Sequence, residues 1–353
     1  MGAAGIRHVF QTGPQRRGQT RVHDGDFMVS DRSPDPGQAV PSGRSGLDPA
    51  GIIVLLFPVP SQGKAATLAK ENSSMETRLS QAQLDAFDAQ GFLVLPAVFD
   101  DDEVGRMRAE ADYILELIIN SSIHNERRSR RLDIRQRDGN WTVRKIQPIN
   151  DLSAYLSTVS EDPRLLDPMR QLMDDEPILM EEKLNYKQPL PAPPPNMTAR
   201  EADDRFPVHS DWAYYRAQNY PQDILSSAIT MDACTADSGP IRVWPGTHKE
   251  HLEHYQMENG LQVRPELVDF NGGQDVLAPA GSVLLFHALL IHNSVANASG
   301  RARRLMIYSH FPERADIAHD IRNGPTRLRE SPWEHQYLRM RVAGQAAAPF
   351  AAP

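Results

Sequence analysis

Residues 207–216 read PVHSDWAYYR and place His209 and Asp211 two positions apart. Alternate residues of an extended segment share a face. A strand end carrying His-x-Asp therefore aims both groups the same way. Two histidines and one carboxylate on one face commonly hold non-haem iron(II), with the opposite face open for oxygen and a cosubstrate. The second histidine must come from a distant segment that folding brings back. His292 is the candidate: it follows the apolar run SVLLF and precedes a segment carrying Arg303 and Arg304. Alone, a His-x-Asp triplet also arises by chance in turns and at surfaces; the joint pattern is what carries weight.

Other candidates have plainer readings. THKEHLEH contains His248, His251 and His254. His251 and His254 would share a helix face as a metal pair, but no third ligand is evident and the stretch reads as exposed and polar. His248 belongs to a structural Pro-Gly-Thr-His turn, and His287 and His310 read as core histidines. Trp212, Tyr214 and Tyr215 either line a pocket or pack its mouth. Trp244 reads as core. Cys234 is the single cysteine, so neither an intrachain disulfide nor a cysteine-based zinc site is possible. That fits a reducing, cytoplasmic setting. No Walker or dinucleotide pattern is present.

The elements that must position these residues follow from periodicity. SQAQ at residues 80–83 is a capping box that opens a helix, which Gly91 closes. FLVLPAVF reads as a strand interrupted by Pro96. DDDEVGRMRAEADYILELIIN is a longer helix with its acids at the N-terminal end of the dipole and an apolar stripe of Val104, Met107, Ala111, Ile114 and Ile118. After about residue 130 the texture changes to short strands: RLDIRQ, WTVRKIQ, ILMEEKLNYK, ILSSAITMDAC, PIRVWPG, GSVLLFHAL and RRLMIYSHF. One helical stretch, DPRLLDPMRQLMDD, intervenes. The expected fold is mainly β with flanking helices around a jelly-roll-like core.

The chain has 353 residues, a hydrophobic fraction of 40% and a formal net charge of −8. That charge disfavours a non-specific grip on nucleic acid or an anionic membrane. The longest apolar run, GIIVLLFPVP, falls far short of the roughly 20 residues of a membrane helix. Residues 1–74, rich in Gly, Pro, Ser and Arg, read as a disordered tail or as an artefact upstream of a start at Met75. Residues 344–353 read as a flexible tail.

Four segments together resemble the phytanoyl-CoA dioxygenase family of Fe(II)/2-oxoglutarate oxygenases over about residues 80–315. They are FDAQGFLVLPAVFDDDEV, HSD, DSGPIRVWPGTHK and IHNSVANASGRARR. The resemblance implies a double-stranded β-helix core, cupin-like in outline, within a domain spanning residues 75–343. It implies that His209, Asp211 and His292 hold iron, and that Arg303, eleven positions after His292, grips the distal carboxylate of 2-oxoglutarate. A guanidinium fork matches a carboxylate in bidentate fashion. Arg304 would face the other side of the strand, and Arg301 sits closer to the turn. Ser294 matches a family serine that contacts 2-oxoglutarate, but a turn serine reads as well. Lys187 in NYKQP resembles a family lysine, with Tyr186 inserted before it. The activity so implied is O2-dependent hydroxylation of an aliphatic C–H bond of a small organic substrate, releasing succinate and carbon dioxide. An aspartate at Asp211 argues against halogenation.

A non-catalytic jelly-roll binding module and a cupin-type metalloenzyme that does not use 2-oxoglutarate are the alternatives. The substrate is left open, with specificity expected from residues 120–150, 188–206 and 213–222. No dense basic cluster for a CoA phosphate stands out, which leans towards a small metabolite. Oligomeric state is not legible.

Overall fold

The computed structural model describes residues 77–149 and 151–315. The expected tails, and the far end of the expected domain, lie outside the described residues. Helix α1 spans Gln81–Gln90; the Ser80 hydroxyl accepts from the Gln83 N–H, and Gln83 reaches back to the Ser80 N–H. Gly91 ends α1 at φ +82°, and a Cβ there would lie 2.4 Å from the His248 ring. Only glycine tolerates both conditions. Strand β1, Phe92–Leu95, stops before Pro96. Helix α2, Asp101–His124, is capped by Asp100 and Glu103, and its predicted stripe Val104, Met107, Ala111, Ile114 and Ile118 is wholly buried.

A hairpin follows, β2 (Leu132–Arg137) and β3 (Asn140–Ile146). Then come helices α3 (Ala154–Val159) and α4 (Pro163–Met173). Strand β4 is long, Pro177–Leu190. Next in order are β5 (Arg200–Glu201), β6 (Phe206–His209), β7 (Leu225–Thr230) and β8 (Ile241–Val243). The chain continues through β9 (His254–Met257), β10 (Gly260–Val263) and β11 (Gln274–Asp275). It closes with β12 (Val283–His287), β13 (His292–Ser294) and β14 (Leu305–Pro312).

The large sheet runs β1-β12-β7-β14-β4-β3-β2-β5, and the small sheet β11-β8-β13-β6. Strands β9 and β10 form a separate hairpin. The centre of the large sheet is buried on both faces. On β14, Met306 and Tyr308 pack with Met107, Ile114 and Ile118 of α2, whereas Leu305 and Ile307 pack with Val243 of the small sheet. On β12, Leu285 turns to the helices and Leu284 and Phe286 turn inward. Burial on both faces accounts for the near-continuous apolar runs in these strands. The architecture is the expected double-stranded β-helix with flanking helices.

Within the stretch 120–150, expected to contribute specificity, residues 120–124 end α2 and the two predicted strands form the β2–β3 hairpin. Its contribution to the interior is made by strands.

Candidate metal centre

The small sheet brings the predicted ligands together by register. His292 on β13 lies directly opposite His209 on β6, with ring centroids 4.5 Å apart. Asp211 follows two residues after His209, where the chain leaves β6 and turns into the helical turn Trp212–Tyr215. One ligand atom from each of the three lies within 4.8 Å of the others, and all three residues are buried. The Asp211 Oδ1 sits 3.6 Å from His209 Nε2 and 3.8 Å from His292 Nε2.

Both rings are oriented in the same way. His209 Nδ1 faces the Pro207 carbonyl at 2.7 Å, and His292 Nδ1 faces the Leu290 carbonyl at 2.9 Å. With Nδ1–H donating to the carbonyl two residues back, each ring turns its Nε2 lone pair towards Asp211, the arrangement that orients metal-binding histidines. Burial, reinforced by His209, pushes the His292 imidazole down to about 4 and keeps it neutral. Burial alone would raise the Asp211 carboxyl, but Lys183 and the two histidines outweigh it and hold the group well below the usual carboxylate range. Two imidazoles and one carboxylate suit a divalent first-row metal, so the donor set fits iron(II).

Arg303 is 1% exposed and faces the same cavity. Its Nη2 donates to the Gly239 carbonyl at 2.7 Å, while Nε and Nη1 have no partner. Buried donors without partners are costly, and a carboxylate delivered by a cosubstrate would satisfy them. Arg304 points the opposite way, as strand parity predicts, and pairs with Asp232 at 2.9 Å and Asp112 at 2.6 Å. Ser294 is buried and lines the cavity.

Lys187 lies elsewhere. The β3–β4 register, Val143↔Gln188 and Lys145↔Asn185, leaves one extra residue in β4, with Lys187 at φ +39°. The inserted residue is thus taken up as a bulge. It leaves Lys187 outside the cavity lining, donating to the Val295 carbonyl. Tyr186 faces the helices and donates to the Ala111 carbonyl at 2.8 Å.

Sequence reasoning passed over several groups. Lys183 on β4 bonds Glu181 at 2.7 Å and lies 3.8 Å from Asp211 Oδ2, and Tyr215 donates to Glu181 at 2.9 Å. The signal was available: Glu181, Lys183 and Asn185 alternate along β4 and line the cavity, while Leu184 and Tyr186 pack outward. In THKEHLEH, Lys249, Glu250 and Glu253 are exposed, as expected, but His248, His251 and His254 are not, and only Thr247–Lys249 is helical, as one 3-10 turn. His254 is half-buried on β9, and its Nε2 accepts from the N–H of Ser210, the residue between two candidate ligands, at 3.0 Å. The cavity, about 440 Å³, lies between the two sheets. Its wall carries Arg135, Arg144 and Lys145 of the β2–β3 hairpin together with Arg200, a basic cluster that the linear sequence disperses.

Comparisons with known proteins agree with this geometry. The family model described as phytanoyl-CoA dioxygenase (PhyH) matches residues 87–305. Ectoine dioxygenase of Halomonas elongata is 27% identical over 256 residues, 67% of this chain and 71% of its own length. L-proline trans-4-hydroxylase of Streptomyces griseoviridis is 22% identical over 269 residues, 69% of this chain and 92% of its own. The crystal structure of EctD from S. alaskensis with bound Fe has a TM-score of 0.51 at 23% identity, covering 78% of this chain and 86% of that one. That last likeness is one of fold.

Proposed function

The chain belongs to the phytanoyl-CoA dioxygenase family, and from that premise we propose that it is an Fe(II)/2-oxoglutarate-dependent dioxygenase that hydroxylates an aliphatic C–H bond of a small organic metabolite. One observation carries the reading: a buried His-Asp-His cluster shares a cavity with an arginine whose guanidinium keeps two unpartnered nitrogens. His209 and His292 would hold iron through Nε2, and Asp211 through a carboxylate oxygen. Bound iron supplies the activation of O2, with 2-oxoglutarate oxidised to succinate and carbon dioxide.

The residues of the chain bind and orient. Arg303 receives the distal carboxylate of 2-oxoglutarate in its planar fork. Ser294 stands on the same wall as a hydroxyl partner. Lys183, with the two histidines, favours the ionised form of Asp211 against the opposing effect of burial. Phe286 and Ile307 furnish an apolar inner surface that keeps water from the reacting centre. Lys187 acts behind the wall, by fixing the Val295 segment. A cytoplasmic setting without nucleic-acid or membrane partners accompanies this reading. It is supported by the single buried thiol and the net charge of −8, and no helix among the described residues is long and apolar enough to cross a membrane.

Anaerobic titration of metal-free protein with Fe(II), then with 2-oxoglutarate, tests the proposal. The expected result is a weak visible charge-transfer band from the chelate, absent in Asp211→Ala. Iron binding without the band would leave a metalloenzyme that does not use 2-oxoglutarate. Failure to bind iron would return the fold to a ligand-binding module.

A further inference from the structure

The cavity holds more positive charge than iron and 2-oxoglutarate chemistry calls for. Its lining includes Arg135, Arg144, Lys145, Lys183, Arg200 and Arg303. Arg303 is assigned to the cosubstrate, and Lys183 is matched by Glu181. The other four cations face Glu258, on the lining, and Asp133, behind it, and Lys145 also feels Glu181, which Lys183 already pairs.

Asp133 is shared. Arg144 Nη2 lies 2.6 Å from its Oδ2, and Arg135 Nη2 lies 3.1 Å from its Oδ1. Arg144 is further tied to the Arg205 carbonyl at 3.1 Å. Arg135 is 7% exposed, and its Nε has no partner. The Lys145 side chain makes no hydrogen bond or ion pair among the described residues, although it is half-buried at the cavity wall. Arg200 stands beside Arg135 in register across the β2–β5 pair, and donates to the Glu258 carbonyl.

A bulge builds this cluster. Neighbouring residues of a regular strand face opposite sides, yet Arg144 and Lys145 both line the cavity. The β2–β3 register, Asp133↔Lys145 then Ile134↔Val143, leaves Arg144 as the extra residue. Bulges re-aim side chains in this way beside active sites.

We propose that Arg135 and Lys145, flanked by Arg144 and Arg200, form a second oxyanion site that receives a carboxylate or phosphate group of the molecule to be oxidised. This rests on the dioxygenase reading and names its substrate class: a small anionic metabolite. The site is separate from the cosubstrate's. Arg303 just precedes β14, and in the order β14-β4-β3-β2 Lys145 lies two strands from that end and Arg135 three, roughly 10 Å and 14 Å at about 4.8 Å per strand. A single five-carbon diacid held by Arg303 does not also reach Arg135. Burial, with Arg144 next, lowers Arg135 to about 10, and burial with Lys183 lowers Lys145. Cations held in this way gain from an arriving oxyanion.

The test uses the full chain with zinc(II) and 2-oxoglutarate saturating, so that the triad and Arg303 are occupied. Saturation-transfer NMR then follows methyl phosphate, acetate and methylammonium. One or both anions should bind and methylammonium should not, with the tighter anion telling a phosphorylated substrate from a carboxylic acid. Arg135→Gln and Lys145→Gln should each weaken anion binding about tenfold. Lys145→Gln leaves no group unpaired, so it decides the matter even if Arg135→Gln folds poorly. No anion binding, equal binding of methylammonium, or anion binding indifferent to Lys145→Gln would overturn the inference. The iron and 2-oxoglutarate titration involves neither residue. Its failure would count against the dioxygenase reading, and its success alongside a negative result here would count against the second site alone.

Discussion

His209 and His292 each spend one ring nitrogen on the backbone to aim the other at Asp211, and Asp211 is in turn held ionised by Lys183. The backbone between the ligands has its own support, the acceptor nitrogen of His254 beneath the Ser210 N–H. His254→Phe should leave that N–H buried and unpaired, and loosen the loop carrying both His209 and Asp211. Iron affinity is expected to fall about 10- to 100-fold, the usual cost of losing an outer partner. Fe(II) titration of the folded variant checks this; affinity within twofold of the parent would remove His254 from the site. Arg303→Ala tests the other end of the cavity. It should raise the 2-oxoglutarate constant about a hundredfold or more while iron affinity holds. Arg303→Lys should recover only part of the loss, because a point charge lacks the fork. An unchanged 2-oxoglutarate constant in Arg303→Ala would sink its assignment.

Among elements, what could be read in the sequence was what repeats. The stripe of α2 runs through several turns, and the apolar runs of β7, β12 and β14 mark strands buried on both faces. The cluster of His209, Asp211 and His292 was legible for a different reason: His-x-Asp joined to a distant His and Arg, in the order that resembles the family, marks candidate ligands without any periodicity. The strands that carry the ligands were not legible. β6 has 4 residues and β13 has 3, too few for alternation to stand out. Bulges were hidden as well: WTVRKIQ read as a regular strand puts Arg144 and Lys145 on opposite faces, so the basic wall could not be anticipated. Glycine contacts belong to the same class. Gly281, before β12, adopts φ +81°, and a Cβ there would lie 2.1 Å from the Phe99 carbonyl oxygen at the mouth of α2. Phe99 also donates its N–H to the Gly281 carbonyl at 3.0 Å, so neither segment can retreat without losing that bond. Gly281→Ala should therefore lower the unfolding free energy by roughly 2–4 kcal/mol. Urea unfolding measures it, and a loss below about 0.5 kcal/mol would mean that the α2 junction yields.

For the whole molecule, composition gives the sum of charge and the fold decides its distribution. A chain of net charge −8 encloses a cationic cavity, which no count of residues reveals. Histidines are segregated too. Burial, as the leading cause, lowers His254, His287, His292 and His310 each to about 4 from the ordinary 6.5. Well above pH 6.5 neither the folded nor the unfolded chain protonates them, and the groups contribute no pH dependence there. Between 6.5 and 4 the unfolded chain takes up protons that the native chain refuses, so stability falls as pH falls. Each histidine adds a slope of up to about 1.4 kcal/mol per pH unit. Asp211 acts in a lower range, because its depressed carboxyl stabilises the fold above the ordinary 3.8 and loses that effect only below it. The metal-free protein should thus lose thermal stability steadily from pH 6.5 to 5. His310→Gln, which removes a fully buried imidazole away from the cavity lining, should flatten the slope by about one proton's worth. Unfolding midpoints measured across this range on both proteins decide it. A midpoint constant from pH 7 to 5 would mean that the buried histidines are protonated in the native state, with partners the fold has to supply.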